Sequence, residues 1–322
     1  LFAQSFLGIG SVALLYLIIA LQSCFYAIGS AVRSAIIARV VPERLLAQAN
    51  ALSSINWSLG PALGPLLGGV IIGTSGLSTA YLIDVIAFAA MAWAMFRLPS
   101  LPPTPQVEGE RRKTGWASVA EGLSFLKDKR NLMMTFYVDL AAMVLASPRA
   151  LMPAIAAEWY GGTTKQVALT LGLLAGAPAI GALVSGVLSG PLGGIRFQGR
   201  VVIIAIIAWG ACIGGFGLTK WLPLGLLLLA LAGAADNVSA VFRTTILQVA
   251  TPDEFRGRLQ GVFVVVVSGG PKLGDVEAGT VATLIGEQAA IVVGGATCIA
   301  VVLALTRWRS SFWRYDAQHP VP

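Results

Sequence analysis

The chain is a succession of long apolar runs separated by short polar joints. A helix needs about 20 apolar residues to cross the hydrocarbon of a bilayer. Residues 12–37, 52–73, 78–97, 131–156, 167–190, 200–219, 222–248, 259–282 and 286–306 each meet that length. Residues 1–8 read as the end of another such run. The pattern predicts an all-α membrane protein that crosses the bilayer many times.

The polar stretch 98–130 is the long interruption, and it opens with four prolines followed by a run of charge. Such a segment cannot pack a core. Within it Trp116, Val119, Leu123 and Leu126 recur at helical spacing, which predicts a short helix lying on the membrane surface or against the helix ends. The expected organisation is a first transmembrane bundle over 1–97, a linker over 98–130, a six-helix bundle over 131–307 and a tail over 308–322.

Composition strengthens this reading. Apolar residues are 56% of the chain and charged residues 11%, against about 25% charged in soluble domains. Gly is abundant, at 37 residues, and Gly within apolar runs permits close helix packing in lipid. The net charge of +7 does not point to nucleic acid, because the charges have an address. If the linker is cytoplasmic, alternation of the spans puts every Lys and Arg on the cytoplasmic side except Arg149, Lys165, Lys220 and Lys272. That bias is the positive-inside pattern, and it places the tail in the cytoplasm as well. Cys24, Cys212 and Cys298 lie in apolar runs without metal-like spacing, and His319 lies in the polar tail. No nucleotide-binding loop, metal cluster or nucleophile–base arrangement is present in the sequence. The chain is therefore expected to be neither an enzyme nor a cofactor binder, with lipid as its surroundings.

An internal repeat adds a second level of organisation. VRSAIIARVVPERLLAQAN at 32–50 parallels FRTTILQVATPDEFRGRLQ at 242–260. Arg33, Pro42 and Glu43 match Arg243, Pro252 and Asp253 at an offset of 210 residues. Internal symmetry of this kind is common in secondary transporters. From Asn131 to Arg243 is 113 residues, whereas 32 precede Arg33. The difference predicts roughly 80 further residues, nearly three spans, in a parent of six plus six helices.

These residues carry a family likeness. The sequence resembles the major facilitator superfamily, and within it the branch of enterobactin-type and drug exporters. SLGPALGPLLGG at 58–69 is similar to the antiporter motif of the fifth transmembrane helix, met by Gly60, Gly64, Pro65, Gly68 and Gly69. ASPRALMPAIAAEWYGG at 146–162 and GAPAIGALVSGVLSG at 176–190 are similar to the seventh and eighth helices of that branch. The acidic residue expected near Gly190 is absent, which leaves Arg196 and Arg200 without a gating partner in their own loop and free to meet lipid phosphates. The resemblance implies two bundles and alternating access. It also implies proton-coupled efflux of a siderophore or amphipathic drug by a monomer in a bacterial inner membrane. The alternative is an inactive or partner-dependent piece of such a transporter.

Charges inside apolar spans locate the candidate chemistry, since each costs about 2.5–3.5 kcal/mol at mid-helix on the insertion scale. Asp84, Asp139, Arg149, Asp236, Lys272, Asp275 and Glu287 are the substrate or proton-coupling candidates. Asp139 and Arg149 stand nearly three turns apart, too far to pair directly. Arg149 either attracts an anionic substrate or holds an acid such as Glu158 or Glu287, while Pro148 and Pro153 distort the helix around it. Asp236 either carries the proton or is paired structurally or capped by Asn237. Arg243 and Arg33 are expected to lock the cytoplasmic helix ends, against acids of neighbouring loops. Lys272 and Asp275, three apart, are expected to pair, with Glu277 beside them. Gly269, Gly270, Pro271 and Gly274 predict a weak, bendable helix there, of the discontinuous kind that gates transporters. Asp84 either bonds a neighbour or lines the route. For Gly60, Gly64 and Gly68, spaced four apart, ordinary small-residue packing and a tight seal against leak both remain open.

Overall fold

The computed structural model describes residues 14, 16–18, 21, 60, 63–97, 123–127, 129–188 and 195–319. Arg33, Pro42 and most of the span over 12–37 lie outside them. The described residues are helical throughout, with no strand among them. The helices are α1 (Leu63–Ser75), α2 (Leu77–Phe96), α3 (Arg130–Leu145), α4 (Met152–Glu158), α5 (Thr164–Leu188) and α6 (Gln198–Leu218). They continue as α7 (Leu222–Ala250), α8 (Asp253–Ile285), α9 (Glu287–Trp308) and α10 (Ser310–Trp313). Among the described residues six helices are long and apolar enough to cross a membrane, counting α3 through α4 as one.

The expected span at 259–282 is present as helix but is not one of the six. α8 runs 33 residues without interruption, and Lys272, Asp275 and Glu277 dilute its hydropathy. Together with the five membrane-length helices of 130–308 it completes a six-helix set. Short connectors join these helices. Thr219–Trp221 turns α6 into α7, Thr251–Pro252 turns α7 into α8, and Gly286, at φ 83°, turns α8 into α9. Helices joined so tightly must run antiparallel.

Two compact units form. One comprises Leu1–Thr104 with Thr164–Gly172, the other Pro105–Thr163 with Leu173–Pro322. In the first, α2 presents exposed apolar side chains along its length, among them Val85, Ile86, Phe88 and Trp93. Such a surface is stable only against lipid. The close helix contact in this unit is between α1 and the start of α5. An added methyl at Gly69 would stand 2.9 Å from both the Ala168 carbonyl oxygen and the Gly172 Cα. One at Gly73 would stand 3.1 Å from the Lys165 carbonyl oxygen. By contrast, nothing among the described residues lies within 4 Å of such a methyl at Gly60, Gly64 or Gly68. Among the described residues, the close contact of α1 therefore runs along Gly69 and Gly73. Pro65, Gly69 and Gly73 also lie four apart, and the rotation of α1 is set by what it packs on.

In the second unit, glycines again fix the packing. α6 sits between α7 and α9, and an added methyl at Gly295 would stand 2.6 Å from the Gly210 carbonyl oxygen. Methyls at Gly181 and Gly233 would collide with the backbones at Ala230 and Pro178, so α5 and α7 cross with backbones nearly touching. In lipid, where apolar surface gains nothing by leaving its surroundings, such close van der Waals packing holds helices together. The linker is described only at its end. There Leu126 is buried and Phe125 stacks on Phe255 at 4.2 Å, while Leu123 stays exposed.

Candidate functional site

The candidate site is built on α3, its break, and α7. α3 is buried on most of its circumference, with Leu132, Met134, Phe136 and Val138 all enclosed. It stops at Leu145. Pro148 and Pro153 flank the break, and neither has the N–H that a helix interior would use. A single 3₁₀ turn, Arg149–Leu151, bridges to α4, closed by the Leu151 N–H donating to the Pro148 carbonyl at 3.0 Å. The break is seated on bare backbone: a methyl at Gly274 of α8 would collide with the Met143 carbonyl, and one at Gly294 of α9 with that of Leu145. The discontinuous helix is therefore the seventh span. The glycines around Pro271 were expected to make α8 the discontinuous one. Instead α8 is unbroken, and Gly274 accommodates its neighbour.

Asp139, on the buried face of α3, forms an ion pair with Arg243 of α7. Their side chains are 3% and 5% exposed, so this pair is removed from water on both sides. Arg243 also donates its Nε–H to the Ser239 carbonyl at 3.4 Å, and its Nη2 stands 3.9 Å from an oxygen of Asp236, two turns back on the same helix. Asp236 is different in kind: its side chain is 54% exposed. It also feels the charge of Arg149 from the break, and Arg149 is itself exposed. Asp236, Arg243 and Asp139 form a chain of alternating sign, closed at Asp139 and open at Asp236, with Arg149 near the open end.

Several expected contacts fall elsewhere. Arg243 meets an acid of a spanning helix, Asp139, rather than one of a loop. Arg149 lies within charge range of Asp236 and forms no ion pair with Glu158 or Glu287 among the described residues. Asn237 does not cap its neighbour but donates to the Ser185 hydroxyl of α5 at 3.0 Å. No ion pair joins Lys272 to Asp275 among the described residues: Lys272 is exposed and Asp275 half-buried, with one carboxylate oxygen enclosed and unbonded. Glu277 lines a cleft with Ser147, Pro148, Leu151 and Ile291 beside the break. Glu287 opens α9, where the helix N-terminus favours an acid. Asp84 is exposed on α2. Pro252 precedes the first residue of α8. No group of metal-binding side chains occurs among the described residues.

One contact was not anticipated. Asp316 in the tail accepts from Arg196 Nε at 2.9 Å and Nη2 at 2.7 Å. Those bonds, and one from the Gln318 N–H, pull the Asp316 carboxyl down to about 2. The signal available in the sequence was negative, since no acid lies near Arg196.

Comparison with known proteins agrees with this architecture. The chain is similar to the enterobactin exporter EntS of Citrobacter koseri, 26% identical over 312 residues that cover 97% of this chain and 73% of that protein. It is 25% identical over 308 residues to EntS of Shigella boydii and of Escherichia coli, covering 94% of this chain and 72% of each relative. The profile of the Major Facilitator Superfamily matches residues 1–274. With its helical, multi-pass architecture and that match over most of its length, the chain belongs to the Major Facilitator Superfamily.

Proposed function

We propose that this protein is a secondary exporter that exchanges protons for an amphipathic substrate, a siderophore or lipophilic drug, by alternating access. The observation that carries the reading is the alternating charge chain with its open end. Charges within a membrane are costly even when paired, so a reachable carboxylate there is a candidate functional group. Asp236 is reachable, while Asp139 and Arg243 are sealed and hold it in place.

Exchange imposes a sign on the chemistry. Substrate and proton must oppose one another at the site, since each binding event changes the affinity for the other by the same factor. Asp236 meets that requirement if a cationic or hydrogen-bond-donating group of the substrate takes the place of its proton. An anion held by Arg149 alone would strip Asp236 of its partner and draw a proton in, which gives cotransport. Coupling therefore centres on Asp236, and Arg149 tunes it. Names of the relatives favour a siderophore, and the small residues of α1 and α5 suit a tight seal in an exchanger. The distribution of Lys and Arg favours a cytoplasmic linker and tail, the bacterial relatives favour an inner membrane, and the protein acts as a monomer.

Proton release by the full chain in detergent, on adding enterobactin or the lipophilic cation ethidium, tests this. The expected result is release by at least one ligand in the native chain and none in Asp236→Asn. Proton uptake, or release unchanged in Asp236→Asn, would contradict the proposal.

A further inference from the structure

We propose that the end of the chain, Arg309–His319, is a strap that fastens the end of α9 to the start of α6, with Asp316 as the acid that positions Arg196. The loop of Arg196 cannot supply that acid. From Trp159 to Ala235 the sequence contains no Asp or Glu at all, and Asp316 is the sole acid after Glu287. The strap therefore delivers to this loop what its own segment lacks.

The seat is built, not incidental. Phe312 and Tyr315 are buried at 0% and 3% exposure, although both lie in a segment that composition marks as a polar tail. Gly199, at the second residue of α6, leaves the space: a methyl there would collide with the Phe312 carbonyl. The Ala317 N–H donates to the Arg196 carbonyl at 2.9 Å, so Arg196 is held through its backbone as well as its side chain. Arg200, one turn on, donates to the Trp313 carbonyl at 3.4 Å and stacks over Phe197 at 4.3 Å. Two arginines, two buried aromatic rings and a glycine thus converge on eleven residues of tail.

The strap positions and does not touch substrate. Its work is to keep α6 and α9, already interlocked at Gly210 and Gly295, moving as one body at this end of the bundle. The consequence for transport rests on the exporter reading above; the seating of the strap does not. Two measurements on the full chain separate them. Cleavage by trypsin after the exposed Arg314 reads seating directly, because a protease cuts the released form. Asp316→Arg is expected to speed cleavage after Arg314, resolved by mass from cleavage at the introduced arginine, about tenfold and to lower the export rate of vesicles several-fold with substrate KM unchanged. The reciprocal pair Arg196→Asp with Asp316→Arg is expected to restore both. Unchanged cleavage in Asp316→Arg, or a reciprocal pair that restores neither reading, overturns the strap. Faster cleavage with export at the native rate overturns its link to transport. Absence of export in the native chain would count against the exporter reading and leave the cleavage result decisive for the strap.

Discussion

Asp139–Arg243 and Arg196–Asp316 are both carboxylate–guanidinium pairs, and they are stabilised by opposite means. The first is enclosed between α3 and α7, with both side chains at most 5% exposed. The second lies where the tail meets α6, with Arg196 52% and Asp316 18% exposed. Burial makes the first pair expensive to create and more expensive to break, because a lone charge left in the interior has no compensation. Water and salt weaken the second, whose effect depends on the aromatic seat beneath it. A buried pair that adds little net stability but survives in the centre of a bundle points to a use for its charges. An exposed pair on a shaped seat points to positioning.

The sharpest way to break the comparison is to orphan one buried charge. Asp139→Ala leaves Arg243 enclosed with only a distant share in Asp236, and should cost about 3–5 kcal/mol. Thermal unfolding in detergent would show it, and removing both charges with Asp139→Leu and Arg243→Met should recover most of the loss. Next in size is the glycine seat of the break. Gly274→Leu pushes a side chain into the Met143 carbonyl and should cost about 1–3 kcal/mol. Gly69→Ala, which meets the backbones of Ala168 and Gly172, should cost more than Gly68→Ala, which meets nothing within 4 Å among the described residues and should leave unfolding within about 0.5 kcal/mol of the native chain. The difference between Gly69→Ala and Gly68→Ala tests which ridge of α1 meets α5.

Asp236→Asn sharpens the contrast further. This side chain is more than half exposed, so stability should shift by no more than about 1 kcal/mol, while proton-coupled export falls at least about tenfold. The smallest stability effect belongs to the tail. Asp316 is held at about 2, below the ordinary carboxylate value of about 3.9. Its depressed carboxyl contributes stability that is complete above about pH 4 and is lost as pH falls through about 2. Asp316→Asn should flatten the acid limb of the stability profile in that window and leave the neutral region nearly unchanged.

Much of this was legible in the sequence, and the remainder was hidden for definite physical reasons. Apolar run length located the helices of 130–308 because hydrocarbon thickness fixes it. Pro148 and Pro153 marked where the seventh span would be distorted, although single prolines at Pro178 and Pro271 leave α5 and α8 unbroken. Asp139, Arg149, Asp236 and Arg243 stood out as charges in apolar runs, yet their order in the chain of contacts did not. Pairing between α3 and α7 depends on how two helices are rotated about their axes, and sequence spacing reports on one helix only. The same limit explains why spacing did not single out Gly69 and Gly73 as the glycines that meet α5. In α8 the glycines looked like weakness in the helix itself; they accommodate the backbone of α3, which is a property of the neighbour. Asp316 was concealed by composition, for a polar tail gives no sign that two of its aromatic residues are buried.

The most direct test of the account is substrate-driven proton movement in vesicles reconstituted with the full chain, comparing the native protein with Asp236→Asn. The account predicts that imposing a substrate gradient moves protons the opposite way in the native protein, and that the substitution abolishes this movement while the protein stays folded. Proton movement of native size through Asp236→Asn would contradict it.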